Sequence, residues 1–92
     1  MKRKITYTVW GRGDFDRNGT VAMCDEDESP AVAAIKSVAR RSGLHVITAR
    51  SDGTQVCGDR IVAHQRTATL GRPCPGGGWL PLAEIWVSVR VG

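Results

Sequence analysis

The chain has no run of about 18 apolar residues, so no segment is long enough to cross a bilayer as a helix. Aromatic side chains are scarce: three Trp, one Tyr and one Phe. The aromatic-rich strand of an RNA-recognition domain is therefore missing. There are three cysteines, Cys24, Cys57 and Cys74, with no Cys-x-x-Cys pair. An odd number at wide spacing excludes the disulfide framework of a small secreted scaffold. Together with His45 and His64 these cysteines fit no compact zinc spacing. They read as thiols in a reducing cell. No Gly-Lys-Ser/Thr follows the glycine stretch Gly76-Gly77-Gly78, which leads into Trp79 and a strand, so a phosphate loop is excluded. With 92 residues, one domain is expected over 1–92, with no deep cleft between domains. The basic start from Met1 to Lys4 precedes Ile5-Thr6-Tyr7-Thr8-Val9. That is too short and too polar for a signal-peptide core. The expected location is the cytoplasm, with no membrane association.

Charge is plentiful and uneven. The net charge is +4, from 13 basic against 9 acidic residues. Four of the acids form the run Asp25-Glu26-Asp27-Glu28. Without that run the chain carries +8, 13 basic residues against 5 acidic ones. Ten of the basic residues are Arg, whose planar fork suits phosphate and carboxylate.

Residues 3–10 alternate in polarity. Ile5, Tyr7 and Val9 share one face; Thr6, Thr8 and Trp10 share the other. Such β-branched and aromatic alternation predicts a strand. Asn18-Gly19 is a two-residue turn signal, and Thr20 to Cys24 reads as the returning strand. A helix then starts at Ser29-Pro30, a capping residue followed by a residue suited to the first helical position. The acidic run lies before it, against the positive end of the helix dipole. Ala31, Ile35, Val38 and Ser42 form the inward stripe, and Lys36, Ser37, Arg40 and Arg41 lie towards solvent. Gly43 closes the helix in the left-handed conformation. Leu44 to Arg50 reads as a strand with Leu44, Val46 and Thr48 on one face. Asp52-Gly53 is a second turn signal. Thr54 to Leu70 follows as a strand bent near Gly58-Asp59. Gly71 to Gly78 is a loop. A final strand from Trp79 places Ile85, Val87, Val89 and Val91 on one face. The expected fold is α+β in the order ββαβββ: an antiparallel sheet of four to five strands with one helix packed on one face. One helix covers only one face, which leaves the other face, or an edge, for a partner. The strand from Leu80 to Val91 is a candidate edge for pairing with a second copy. Monomer and homodimer are both compatible with this layout.

Asp14-Phe15-Asp16-Arg17-Asn18-Gly19 matches the opening of a calcium loop, with oxygens at alternate positions and Gly sixth. Asp25 stands where that pattern wants a Glu, and no helix precedes Asp14. The plainer account is a solvated turn, in which Asp and Asn bond to their own backbone. No convergent nucleophile and base are evident, so no enzyme activity, metal or cofactor is expected. Nucleic-acid contact has more behind it. Lys36, Arg40 and Arg41 lie on one helix face, and Arg50 and Arg66 project from the strands. Exposed Trp10 or Trp86 beside Arg can stack on single-stranded bases. Lys36, Arg40, Arg41, Arg50 and Arg66 are the expected partner-binding residues.

The hairpin from Ile5 to Cys24, the Ala-rich helix opened by an acidic turn and Ser29-Pro30-Ala31-Val32-Ala33-Ala34, and the strands after it span roughly residues 4–70. This layout resembles that of small phage-encoded anti-CRISPR proteins directed at type I effector complexes. The resemblance implies a single compact non-enzymatic domain that binds the ribonucleoprotein in the host bacterial cytoplasm and sterically blocks target DNA. Many members of that group are acidic and imitate DNA. The +4 charge departs from them and directs the contact to acidic protein patches or guide RNA. The alternative is a small Arg-rich nucleic-acid-binding module, such as a repressor or RNA chaperone. A third reading is a calcium-binding domain built on Asp14 to Asn18.

Overall fold

A computed structural model describes residues 2–57 and 60–90, with side chains over 2–50 and 63–90. The elements are β1 (Lys2–Gly13), β2 (Val21–Asp25), α1 (Pro30–Ser42), β3 (His45–Cys57), β4 (Arg60–Pro73) and β5 (Trp79–Arg90). The order ββαβββ and the α+β class are as the sequence indicates. The five strands form one sheet in the order β2-β1-β5-β4-β3. Every neighbouring pair is antiparallel.

β1 serves two partners. Its first half pairs with β2, from Lys2↔Asp25 to Thr6↔Val21. Its second half pairs with β5, from Tyr7↔Val89 to Gly13↔Ala83. This division explains why Asn18-Gly19 is not a two-residue hairpin turn. β1 runs on to Gly13, past its last pairing with β2, so residues 14–20 must travel back. Gly19 has no positive φ. Its glycine is needed because a Cβ there would sit 2.5 Å from the Tyr7 hydroxyl and 2.8 Å from Arg41 Nε. Close packing, not turn conformation, selects the residue.

Two further expectations are corrected. Asp52-Gly53 lies inside β3, at a register shift between Ser51↔Arg66 and Gly53↔Gln65. An antiparallel ladder absorbs an extra residue as a bulge, and the Asp-Gly pair sits in one. β3 instead pairs with β4 down to Cys57↔Arg60. The bend near Gly58-Asp59 lies outside the described residues, as does Val91. β5 is not an edge: it is flanked by β1 and β4, and the edges are β2 and β3.

The helix keeps its expected boundaries. Ser29 is extended and its carbonyl accepts the Ala33 N–H at 3.0 Å, but its hydroxyl makes no capping bond. Gly43 is left-handed at φ 68°. The Leu44 N–H then reaches the Ala39 carbonyl at 2.9 Å, which ties up a carbonyl orphaned by the helix end. Four alanines, Ala31, Ala33, Ala34 and Ala39, are buried with Ile35 and Val38. Small side chains let the helix approach the sheet closely. Against it pack Ile5 and Tyr7 of β1, Ala22 and Cys24 of β2, Ile85, Val87 and Val89 of β5, and Ala68 and Leu70 of β4. Ser37, expected in solvent, is buried, with its Oγ 3.4 Å from the Tyr7 hydroxyl. The phenol reaching through the core needs a polar partner there.

Candidate functional site

Alternation along the strands sends most apolar side chains to the helix and most polar ones, with Trp10 and Trp86, to the opposite face. Among the described residues, no other element packs on that opposite face. Its side chains form rows that follow the register. One row runs Arg50, Thr67, Trp86, Trp10 across β3, β4, β5 and β1. The next runs Thr48, Thr69, Glu84, Arg12. On the other side of the tryptophan row lie Gln65, Ser88 and Thr8. Adjacent strands are about 4.8 Å apart, so Arg50 and Trp10 stand about 14 Å from each other across the sheet. Lys2 and Lys4 extend the same face along β1, and Arg90 extends it along β5.

Arg50 reaches this face through a bulge. Val46 pairs with Leu70 and Thr48 with Thr69, with Ile47 as the extra residue. Leu70 faces the helix and Thr69 faces away. The strand therefore changes sides at Ile47, and Thr48 does not share a face with Leu44 and Val46 as simple alternation predicts. Without that residue Arg50 points under the helix.

The face is accessible and carries positive charge. Trp10 is 47% exposed, and Arg12, Arg50 and Arg90 are exposed. Trp86, Thr67 and Thr69 are half-buried and stand in a shallow hollow. That hollow has a volume of about 600 Å³ and is lined by Thr48, Arg50, Thr67, Thr69, Glu84 and Trp86. Glu84 lies 3.6 Å from Arg12. Among the described residues, neither Arg50 nor Arg90 has an ion-pair partner. The hollow thus combines an indole, three hydroxyls, a free guanidinium and a carboxylate. Such a lining can stack on a planar ring and bond to its edge.

The five expected contact residues are not brought together. Lys36, Arg40 and Arg41 lie on the outer surface of α1. Two of them are engaged: Lys36 Nζ is 2.9 Å from Glu28 Oε2, and Arg41 Nε is 3.3 Å from Asp16 Oδ2. The Lys36 ammonium holds the Glu28 carboxyl below the usual carboxylate range. Arg66 pairs in register with Val87, on the helix side of the sheet. Only Arg50 belongs to the uncovered face. Trp10 and Trp86 were readable as stacking residues. Their adjacency was not, because it depends on β1 pairing with β5.

The Asp14 to Asn18 segment is held by the protein itself. Phe15 is buried and Arg17 lies over its ring at 4.1 Å. The Asp16 N–H donates to Ser42 Oγ at 2.9 Å, and Asp16 Oδ1 accepts from the Asn18 N–H at 2.8 Å. This is the self-bonded turn expected of Asx residues. Among the described residues, no group of three or more His, Cys, Asp and Glu side chains is placed to hold a metal ion. Cys24 is a buried thiol and Cys74 a half-buried one. The His45 ring is tilted against Trp79, 5.8 Å between centroids. No described helix is long and apolar enough to cross a membrane.

No known protein family, curated protein or solved structure matches this chain.

Proposed function

We propose that this protein is a non-enzymatic interaction module that works by occupying a surface, and that the uncovered face of its sheet is the working side. The observation that carries this is the row Arg50, Thr67, Trp86, Trp10. Aromatic and Arg side chains dominate binding energy at interfaces. Here they share one row on the sheet, with Trp10 and Arg50 exposed and Trp86 half-buried, outside the core. The partner that suits a positively charged face of this size is a nucleic-acid-processing ribonucleoprotein. The specific form proposed is an anti-CRISPR-like inhibitor in the host bacterial cytoplasm, covering a surface that a type I effector complex needs for target DNA.

The test is target-DNA binding by a purified type I effector ribonucleoprotein, with and without a molar excess of this protein. Loss of DNA binding with the wild-type chain, and its return with Arg50→Glu, supports the proposal. DNA binding unaffected by the wild-type chain across several type I effectors removes the inhibitor reading.

A further inference from the structure

We propose that the occupant of the uncovered face is a single strand of nucleic acid, with one base stacked on Trp86 in the hollow and the next on Trp10. This rests on the uncovered face being the working side, and it names the ligand of that face. Three features point to a nucleic-acid strand over a protein surface. First, the two indoles are cross-strand partners, so they offer neighbouring stacking platforms. Base–aromatic stacking is tolerant of sequence because every base has a π-face. Second, among the described residues the cations around them outnumber the acids. Arg50 ends the tryptophan row, Arg12 ends the adjacent row, and Arg90 with Lys4 lies farther along β5 and β1. Opposing them on the same face are Glu84 and, at the β2 edge, Asp25. A sugar–phosphate backbone complements that imbalance. Third, the polar groups around the indoles are neutral and mostly short: Thr8, Thr48, Gln65, Thr67, Thr69 and Ser88. Such groups bond to base edges and sugar hydroxyls without adding bulk over the indoles. A protein partner would meet few apolar side chains on this face away from the tryptophans and the β2 edge.

Duplex DNA fits less well. The face is broad and the tryptophans lie within it, so their rings meet bases only where the bases are unstacked. Glu84, beside Trp86 in the hollow, accepts hydrogen bonds and so favours amino-bearing bases. Oligocytidylate is for that reason the probe of choice.

The experiment is a titration of the intact protein with a fluorescein-labelled single-stranded oligocytidylate of 12 nucleotides, at two salt concentrations, with the matching duplex as comparison. Tryptophan fluorescence is read in parallel. The expected result is binding to the single strand with quenching of tryptophan emission and weaker binding to the duplex. Trp86→Ala should weaken it at least about fivefold. Trp86→Tyr, which keeps a stacking ring, should restore most of it. Arg50→Glu should lower the salt slope by about one unit. Thermal melting of each variant shows that the fold is kept, and Trp10→Ala, at an exposed site, gives a second reading if Trp86→Ala melts early. Absence of single-strand binding overturns the inference, and so does binding that none of these substitutions alters. The inhibition assay separates the two proposals. Inhibition lost in Trp86→Ala while the wild type binds no oligonucleotide means a protein surface occupies the face. Inhibition retained in Trp86→Ala and Arg50→Glu alike removes the face itself.

Discussion

Trp10 on β1 and Trp86 on β5 face each other across the strand pair at the centre of the sheet, on the side the helix leaves bare. Two large indoles at the middle of a small domain would ordinarily serve its core. Here the core is made instead from Ile35, Val38, Leu70, Ile85, Val87 and Val89. Trp10→Ala should accordingly cost at most about 1 kcal/mol, the range of one cross-strand pair. Leu70→Ala should cost about 2–5 kcal/mol, since Leu70 is fully buried. Urea denaturation of both variants checks the contrast. A Trp10→Ala loss comparable with that of Leu70→Ala would make the tryptophans structural.

The helix and the bare face of the sheet present their arginines in opposite directions, so one partner surface engages one side or the other. Arg40→Glu with Arg41→Glu should leave partner binding within about twofold, while Arg50→Glu should lower it tenfold or more, by analogy with truncated charged contacts at interfaces. Inhibition or equilibrium binding measures both. The opposite pattern would move the interface to α1, with Lys36, Arg40 and Arg41 as its residues.

Gly19 is enclosed by the Tyr7 hydroxyl and the Arg41 side chain. Gly19→Ala should therefore destabilise by about 1–3 kcal/mol, as overpacking does. Gly76→Ala meets no neighbouring atom and is strained only by its positive φ of 84°. It should cost about 1 kcal/mol. Thermal melting of the pair distinguishes packing from backbone strain.

Asp16 already accepts the Asn18 N–H and lies beside Arg41. Its carboxylate is committed to fastening the 14–20 connection to the end of the helix. Millimolar calcium should leave the melting temperature unchanged, and Asp16→Ala should lower stability by up to about 1 kcal/mol. A calcium-dependent rise in melting temperature would restore the third reading of the sequence.

Glu28 is held below its ordinary pKa by the hydrogen bond from Lys36. A carboxyl with a lowered folded pKa stabilises the fold above its unfolded pKa, and that contribution disappears as the pH falls through the folded value. The pair lies at the surface with the Lys36 side chain largely exposed, so the effect is small, below about 1 kcal/mol. Lys36→Gln should reduce stability slightly at pH 7 and by less at pH 3. Equal losses at both pH values would show that packing of the lysine stem, not the charge, matters.

Local patterns carried the element order and most of the inward faces. Ile5-Tyr7-Val9 and Ile85-Val87-Val89 point to the core as their alternation requires, and Ser29-Pro30 and Gly43 bound the helix as their backbone preferences require. Pairing was not legible, because many antiparallel arrangements satisfy the same alternation. Turn signals misled for a related reason. Asn18-Gly19 and Asp52-Gly53 are compatible with tight turns, but β1 runs on past β2 to pair with β5, and β3 runs on through Asp52-Gly53 along β4. The bulge at Ile47 has no local mark: a β-branched residue in a strand looks the same whether it is paired or extra. The candidate site suffered most, since its main row draws one residue from each of four strands. Arg50 is among the expected contact residues, but the face it shares with Trp10 and Trp86 exists only once β1, β5, β4 and β3 are assembled.

The position of β5 has a kinetic consequence. Until β5 is in place, β1 and β4 expose unpaired edges, and the helix has only part of a sheet to cover. Tyr7 meets Val89, so closing the middle of the sheet requires the most distant parts of the chain to find each other. Folding dominated by such contacts is slow, in the millisecond-to-second range for small domains. During synthesis the hairpin of β3 and β4 can form early, but the centre of the sheet waits for the strand made after it. In that interval the open edges invite pairing with other chains.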